Sequence, residues 1–133
     1  MSVKSFTVGG VQYNAAMASA VDQDRLLSLL SAGLIERSLT SAHAGMEMDD
    51  KVLVPMFMSM PSQAKAQVAA IIAGRVVVNG SDRAITVADF GGRMVQYNQL
   101  LAELLRWNLS DFFDWLLVAH AGAEGPKLED QAQ

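Results

Sequence analysis

His43 and His120 are the only histidines in this chain of 133 residues, so a search for acid–base or metal chemistry starts with them. His43 sits in the small-residue stretch TSAHAG. His120 falls near the end of a predicted C-terminal helix, where a positive charge complements the helix dipole. Neither has a nucleophile signature or a metal-spaced partner around it, and structural roles fit both better. The acidic residues form two close pairs, Asp49-Asp50 and Asp111 with Asp114. Paired carboxylates catalyse when their environments differ and both face a cleft, whereas each of these pairs stands where acids favour a helix start. The chain has no cysteine, which removes thiol nucleophiles and thiolate metal sites and fits a reducing compartment. The glycine pairs in VGGVQ and FGGRM lack the lysine and hydroxyl of a phosphate loop. The expectation is a protein without catalytic residues, cofactor or metal.

With so little chemistry among the polar residues, the apolar ones carry the information. Hydrophobic residues make up 51% of the chain and charged ones 18%, an apolar balance for a domain this small, so part of its apolar surface is expected to meet other chains. The net charge of -4 gives no basic surplus to displace counterions from a phosphate backbone, which argues against nucleic acid as a partner. No apolar run nears the roughly 20 residues that span a bilayer, and no export signal is visible. No membrane association is expected, and the expected compartment is the cytoplasm.

The elements follow from periodicity. SFTVGGVQYN alternates about Gly9-Gly10, the signature of a short hairpin. Leu26, Leu27, Leu30 and Leu34 recur at helical spacing, and Asp22 and Asp24 favour a helix start, so the pattern predicts a helix over about Val21 to Leu39, weakened at Gly33. MEMDDKVLVPMFMSMP holds five of the eight methionines, and Pro55 would kink or end a helix there. Met56, Phe57 and Met58 read either as adaptable core filling, in a half-buried strand for example, or as a plastic binding surface. From Pro61 the alanine-rich run with Val68, Ile71 and Ile72 predicts a helix stopped at Asn79-Gly80, while RVVVNGSDRAITV allows a hairpin about the same Asn-Gly.

The clearest pattern is ITVADFGGRMVQYNQLLAELLRWN, opened by a capping-box arrangement of Thr86 and Asp89. Phe90, Met94, Tyr97, Leu101 and Leu104 form one stripe, and Val95, Ala102 and Leu105 a second, so a broad face must be covered. On this reading Gly91-Gly92 lies inside the helix at a cost of roughly 1 kcal/mol per glycine. Asn108-Leu109 breaks the pattern, Ser110 is the expected N-cap of a last helix, and Gly122 its stop. That last helix, with Phe112, Phe113, Trp115, Leu116, Leu117 and Val118, is apolar almost all round and is expected to be core whose outer face a neighbouring protomer completes. The expected fold class is mainly α, four to five helices with a short N-terminal β-hairpin, in one domain over 1–121 followed by a flexible acidic tail over 122–133.

YNQLLAELLRWNLSDFFDWLL resembles the C-terminal region of tail assembly chaperones from long-tailed phages with flexible tails, the lambda-like family, most closely over Gly92 to Leu117. The N-terminal hairpin and the Met-rich segment match no motif of that family. The resemblance implies a non-catalytic, self-associating helical protein that forms rings or spirals in the bacterial cytoplasm. It would keep the long tape measure protein soluble, and a longer frameshifted form would recruit tail tube subunits. Gly125-Pro126-Lys127 is compatible with slippery codons. The residues expected to make oligomer or partner contacts are Met56, Phe57, Met58, Trp107, Leu109, Phe112, Phe113, Trp115 and Leu116. The alternative is a helical dimeric regulatory module, of the antitoxin or transcription-cofactor type.

Overall fold

In β1 (Val3–Val8) and β2 (Val11–Ala16) apolar residues alternate, and the strands pair antiparallel with Val8 opposite Val11 and Val3 opposite Ala16. Gly9 and Gly10 join them at φ 58° and 80°, the left-handed pair that a two-residue hairpin turn requires. The computed structural model describes residues 2–30 and 50–115. Phe6, Val8, Tyr13 and Ala15 enter the core from one face of the hairpin. On the other face a polar ladder crosses the sheet: Ser5 Oγ donates to Asn14 Oδ1 at 2.8 Å, and Asn14 Nδ2 donates to Asn79 Oδ1 at 3.1 Å.

Helix α1 covers residues 20–30 of the described chain. Ser19 Oγ accepts the Asp22 N–H at 3.2 Å and caps it, and Leu26 and Leu30 are buried. Gly33, Leu34 and the rest of that predicted helix lie outside the described residues, as do His43, Asp49, His120, Leu116 and the 122–133 tail.

The described part of the Met-rich segment forms a helix, α2 (Asp50–Ser59), and Pro55 sits within it. The proline neither ends the helix nor makes it a strand. Its missing N–H costs the bond to the carbonyl four residues back, and the burial of Leu53, Met56 and Phe57 along one side offsets that loss. The Met60 N–H reaches the Phe57 carbonyl at 3.3 Å, closing the end of α2 before Pro61.

The two readings of the next stretch divide it between them. Helix α3 (Ser62–Ala73) ends at Gly74, not at Asn79-Gly80, because the β-branched run Val76 to Val78 prefers the sheet. β3 (Val77–Val78) pairs antiparallel with β2, placing Val78 opposite Tyr13, and Val77 bridges Ala84 beyond a turn where Gly80 has φ 89°. The sheet order is β1-β2-β3.

Thr86 and Asp89 do form a capping box, with the Thr86 N–H donating to Asp89 Oδ2 at 2.8 Å, but it caps a short 3-10 turn, Val87–Phe90. The long helix α4 (Met94–Asn108) starts only after Gly91-Gly92, and Gly92 has φ 77°. The glycine pair therefore lies outside the helix and permits the turn that re-aims the chain. α4 is the centre of the fold, packed against α2, α3 and β1. Leu100, Leu101, Ala102, Leu104 and Leu105 are completely buried, each leucine contributing about 1.5–3 kcal/mol. The stripe fails in its first turn: Met94 is 44% and Val95 55% exposed, because the helix begins there, beyond the elements that cover the rest.

α4 gives way to α5, residues 110–115, at Leu109. The Leu109 N–H donates to the Leu105 carbonyl and the Leu109 carbonyl accepts the Phe113 N–H, both at 3.0 Å, while its φ of -118° and ψ of 32° break the helical path. Leu109 is therefore the hinge residue that caps α5, and Ser110 is the first residue inside it, not the N-cap that sequence suggests. Among the described residues the fold is mainly α, five helices and a short three-stranded antiparallel sheet.

Candidate interaction surface

The predicted contact residues separate into three groups. Met56 and Phe57 of α2, Leu109 and Phe113 are core. Trp107 and Phe112 are half-buried against that core. Met58, the residue after Phe57 on α2, is 48% exposed, and Trp115 is 62% exposed. Leu116 lies outside the described residues.

Aromatic contacts connect the inside of the protein to this surface. Trp107 meets Phe6 of β1 edge-on, ring centroids 5.5 Å apart. On α5, Phe113 points inward, Phe112 lies against it at 5.4 Å, and Trp115 lies tilted on Phe112 at 6.1 Å. Phe113 thus anchors a short row of rings whose last member, Trp115, stands in solvent beside the exposed Asp111 and Asp114. Asp111 and Asp114 are exposed on the same short helix, and of its three rings only Trp115 is mostly in solvent.

Buried polar groups hold this end of the molecule in place. Asn108 is buried at the end of α4; its Oδ1 accepts the Ala18 N–H at 2.8 Å and its Nδ2 donates to the Leu104 carbonyl at 2.9 Å. It ties the exit of the hairpin to the helix that carries α5. At the other end of α4, buried Asn98 accepts from Lys65 Nζ and donates to the Met94 carbonyl at 2.7 Å. The Lys65 ammonium also lies over the Tyr97 ring, 5.7 Å from its centroid. Burial lowers the Lys65 pKa and raises that of Tyr97. These groups pack against one another between α3 and α4.

Two shallow hollows of about 230 and 270 Å³ flank α3, one bordered by Ala66, Ala70, Val87 and Tyr97, the other by Asp22, Arg25 and Gln67. Both are smaller than the pockets that enclose ordinary small-molecule ligands. Among the described residues no group of three His, Cys, Asp or Glu could hold a metal ion, and no helix is long and apolar enough to cross a membrane. The backbone edge of β1 and the exposed Met94 and Val95 were missed by sequence reasoning. The edge was legible as a strand without an assigned outer neighbour; the helix start at Met94 was hidden by the apolar stripe that runs through it.

No family model matches the chain, and neither a curated protein nor a solved structure is significantly similar to it.

Proposed function

We propose that this protein is a tail assembly chaperone of a long-tailed phage with a flexible tail: a non-enzymatic protein that self-associates in the bacterial cytoplasm and binds the tape measure protein, keeping it soluble until tube subunits polymerise around it. The reading rests on the likeness of YNQLLAELLRWNLSDFFDWLL to that family. The geometry that supports it best is the row of rings on α5, fixed at its root by Phe113 and ending in Trp115, 62% exposed. An exposed tryptophan on a firmly anchored helix suits binding to the apolar face of another helix, with anchor residues at helical spacing. Several copies side by side would cover the length of a client that one small domain cannot. A longer frameshifted form would add the tube-subunit contact.

Co-expression with the cognate tape measure protein tests the reading. The client is expected to move from the insoluble to the soluble fraction and to copurify with the wild-type chain, and to do so less with Trp115→Ala. A client that stays insoluble beside an abundant, folded wild-type chain would overturn it.

A further inference from the structure

The hairpin fixes which backbone groups of β1 look outward. Val8 and Val11 close a two-residue turn and so form a hydrogen-bonded pair, as do the pairs two and four residues on, Phe6 with Tyr13 and Lys4 with Ala15. The Met17 N–H donating to the Ser2 carbonyl at 2.9 Å extends the same phase. Ser2, Lys4, Phe6 and Val8 therefore bond toward β2, and Val3, Ser5 and Thr7 direct their N–H and C=O groups away from the sheet. β1 is the terminal strand in the order β1-β2-β3, and among the described residues no backbone hydrogen bond reaches that outer side. The strand has none of the usual edge defences except one lysine: it contains no proline, its six-pair register has no bulge, and Val3 is 69% exposed.

We propose that this edge pairs antiparallel with β1 of a second copy of the chain, about a two-fold axis at Ser5, making one continuous sheet across two protomers. The register is set by the outward groups: Ser5 opposite Ser5 of the copy, and Val3 opposite Thr7 of the copy, each pair exchanging both hydrogen bonds. The side chains suit a second copy in that register. β-Branched Val3 meets β-branched Thr7, and the serines meet each other on the outer face. On the inner face Lys4 falls opposite Phe6 of the copy. Its ammonium already lies 5.2 Å from the ring centroid of its own Phe6, so in this register each lysine faces an aromatic residue across the pair and not the other lysine. The strand is thus self-complementary in backbone and in the side chains that face one another, as an isologous contact must be. The pairing stands on the sheet edge alone and does not depend on the client assigned above.

The Ser5 N–H points outward, so Ser5→Pro removes a donor from the edge without breaking the β1–β2 ladder. Ser5→Ala, which keeps the N–H and drops the hydroxyl bonded to Asn14, is the control. Sedimentation velocity across a wide concentration range is expected to show a concentration-dependent dimer step for wild type and Ser5→Ala, with association about tenfold or more weaker for Ser5→Pro. Amide exchange of the wild-type full chain gives an independent reading that no variant can spoil by misfolding. Val3, Ser5 and Thr7 should gain protection as concentration rises, while Lys4, Phe6 and Val8 stay protected throughout. A Ser5→Pro chain that is folded and associates like wild type would overturn the pairing. So would outward amides that exchange freely at every concentration, or that stay protected on dilution to single chains, since the last result would mean the chain covers its own edge.

Discussion

Phe113→Ala and Trp115→Ala, two residues apart on one short helix, should have opposite consequences. Phe113 is buried, so its truncation removes a ring and leaves a cavity, a loss of about 3–5 kcal/mol. Trp115 keeps 62% of its surface in solvent. Full burial of a large side chain contributes up to about 3 kcal/mol, so the little more than one third that Trp115 hides is worth about 1 kcal/mol or less. In thermal unfolding followed by circular dichroism, Phe113→Ala should lose roughly 10–20 °C and Trp115→Ala only a few degrees. Client retention should respond the other way, the folded Trp115→Ala chain losing it most clearly. Equal loss of stability in both variants would refute the reasoning, because it would mean that Trp115 is core.

Three further perturbations probe the frame behind that helix. Asn108→Ala leaves the Ala18 N–H without its acceptor and should cost about 1–3 kcal/mol in denaturant unfolding, with faster amide exchange at Ala18. Gly92→Ala forces φ 77° on an L side chain and should cost about 1–2 kcal/mol, whereas Gly91→Ala, at φ -53° with open space around it, should change stability little, as urea midpoints would report. The Asp89 carboxyl is held below its ordinary value by the Thr86 N–H and by Arg83. Its pKa is depressed on folding, so its contribution is complete above the unfolded carboxylate range and is lost as pH falls through the lower folded value. Asp89→Asn should therefore flatten the acid limb of stability against pH below the usual carboxylate range.

How far the sequence could be read depended on whether local pattern and tertiary packing agreed. Gly9-Gly10 between alternating residues, and the leucines of α4, leave one consistent solution, and both elements form, although α4 starts only at Met94. Thr86 and Asp89 satisfied each other as expected, but a capping box closes any turn that presents the right N–H groups, and only the left-handed Gly92 shows that the helix restarts at Met94. Pro55 is a residue that kinks or ends helices, yet the core contact of its neighbours Met56 and Phe57 outweighs one missing bond. For the contact residues, type indicated apolarity but not direction. Phe113 and Trp115 look alike in sequence, and only their angular positions about α5 send one into the core and the other into solvent. The alternation of outward and inward bonds in β1 was implicit in the hairpin from the start. It became informative only once β3 took the far side of β2 and left β1 at the edge.

The central claim is that several copies of this chain together cover one long helical client. Light scattering on the purified complex with the tape measure protein measures it directly. The account predicts a mass corresponding to one client with many 14.3 kDa chains, falling when Trp115→Ala replaces the wild type. A wild-type chain that is monomeric at every concentration and elutes apart from a soluble client would contradict it.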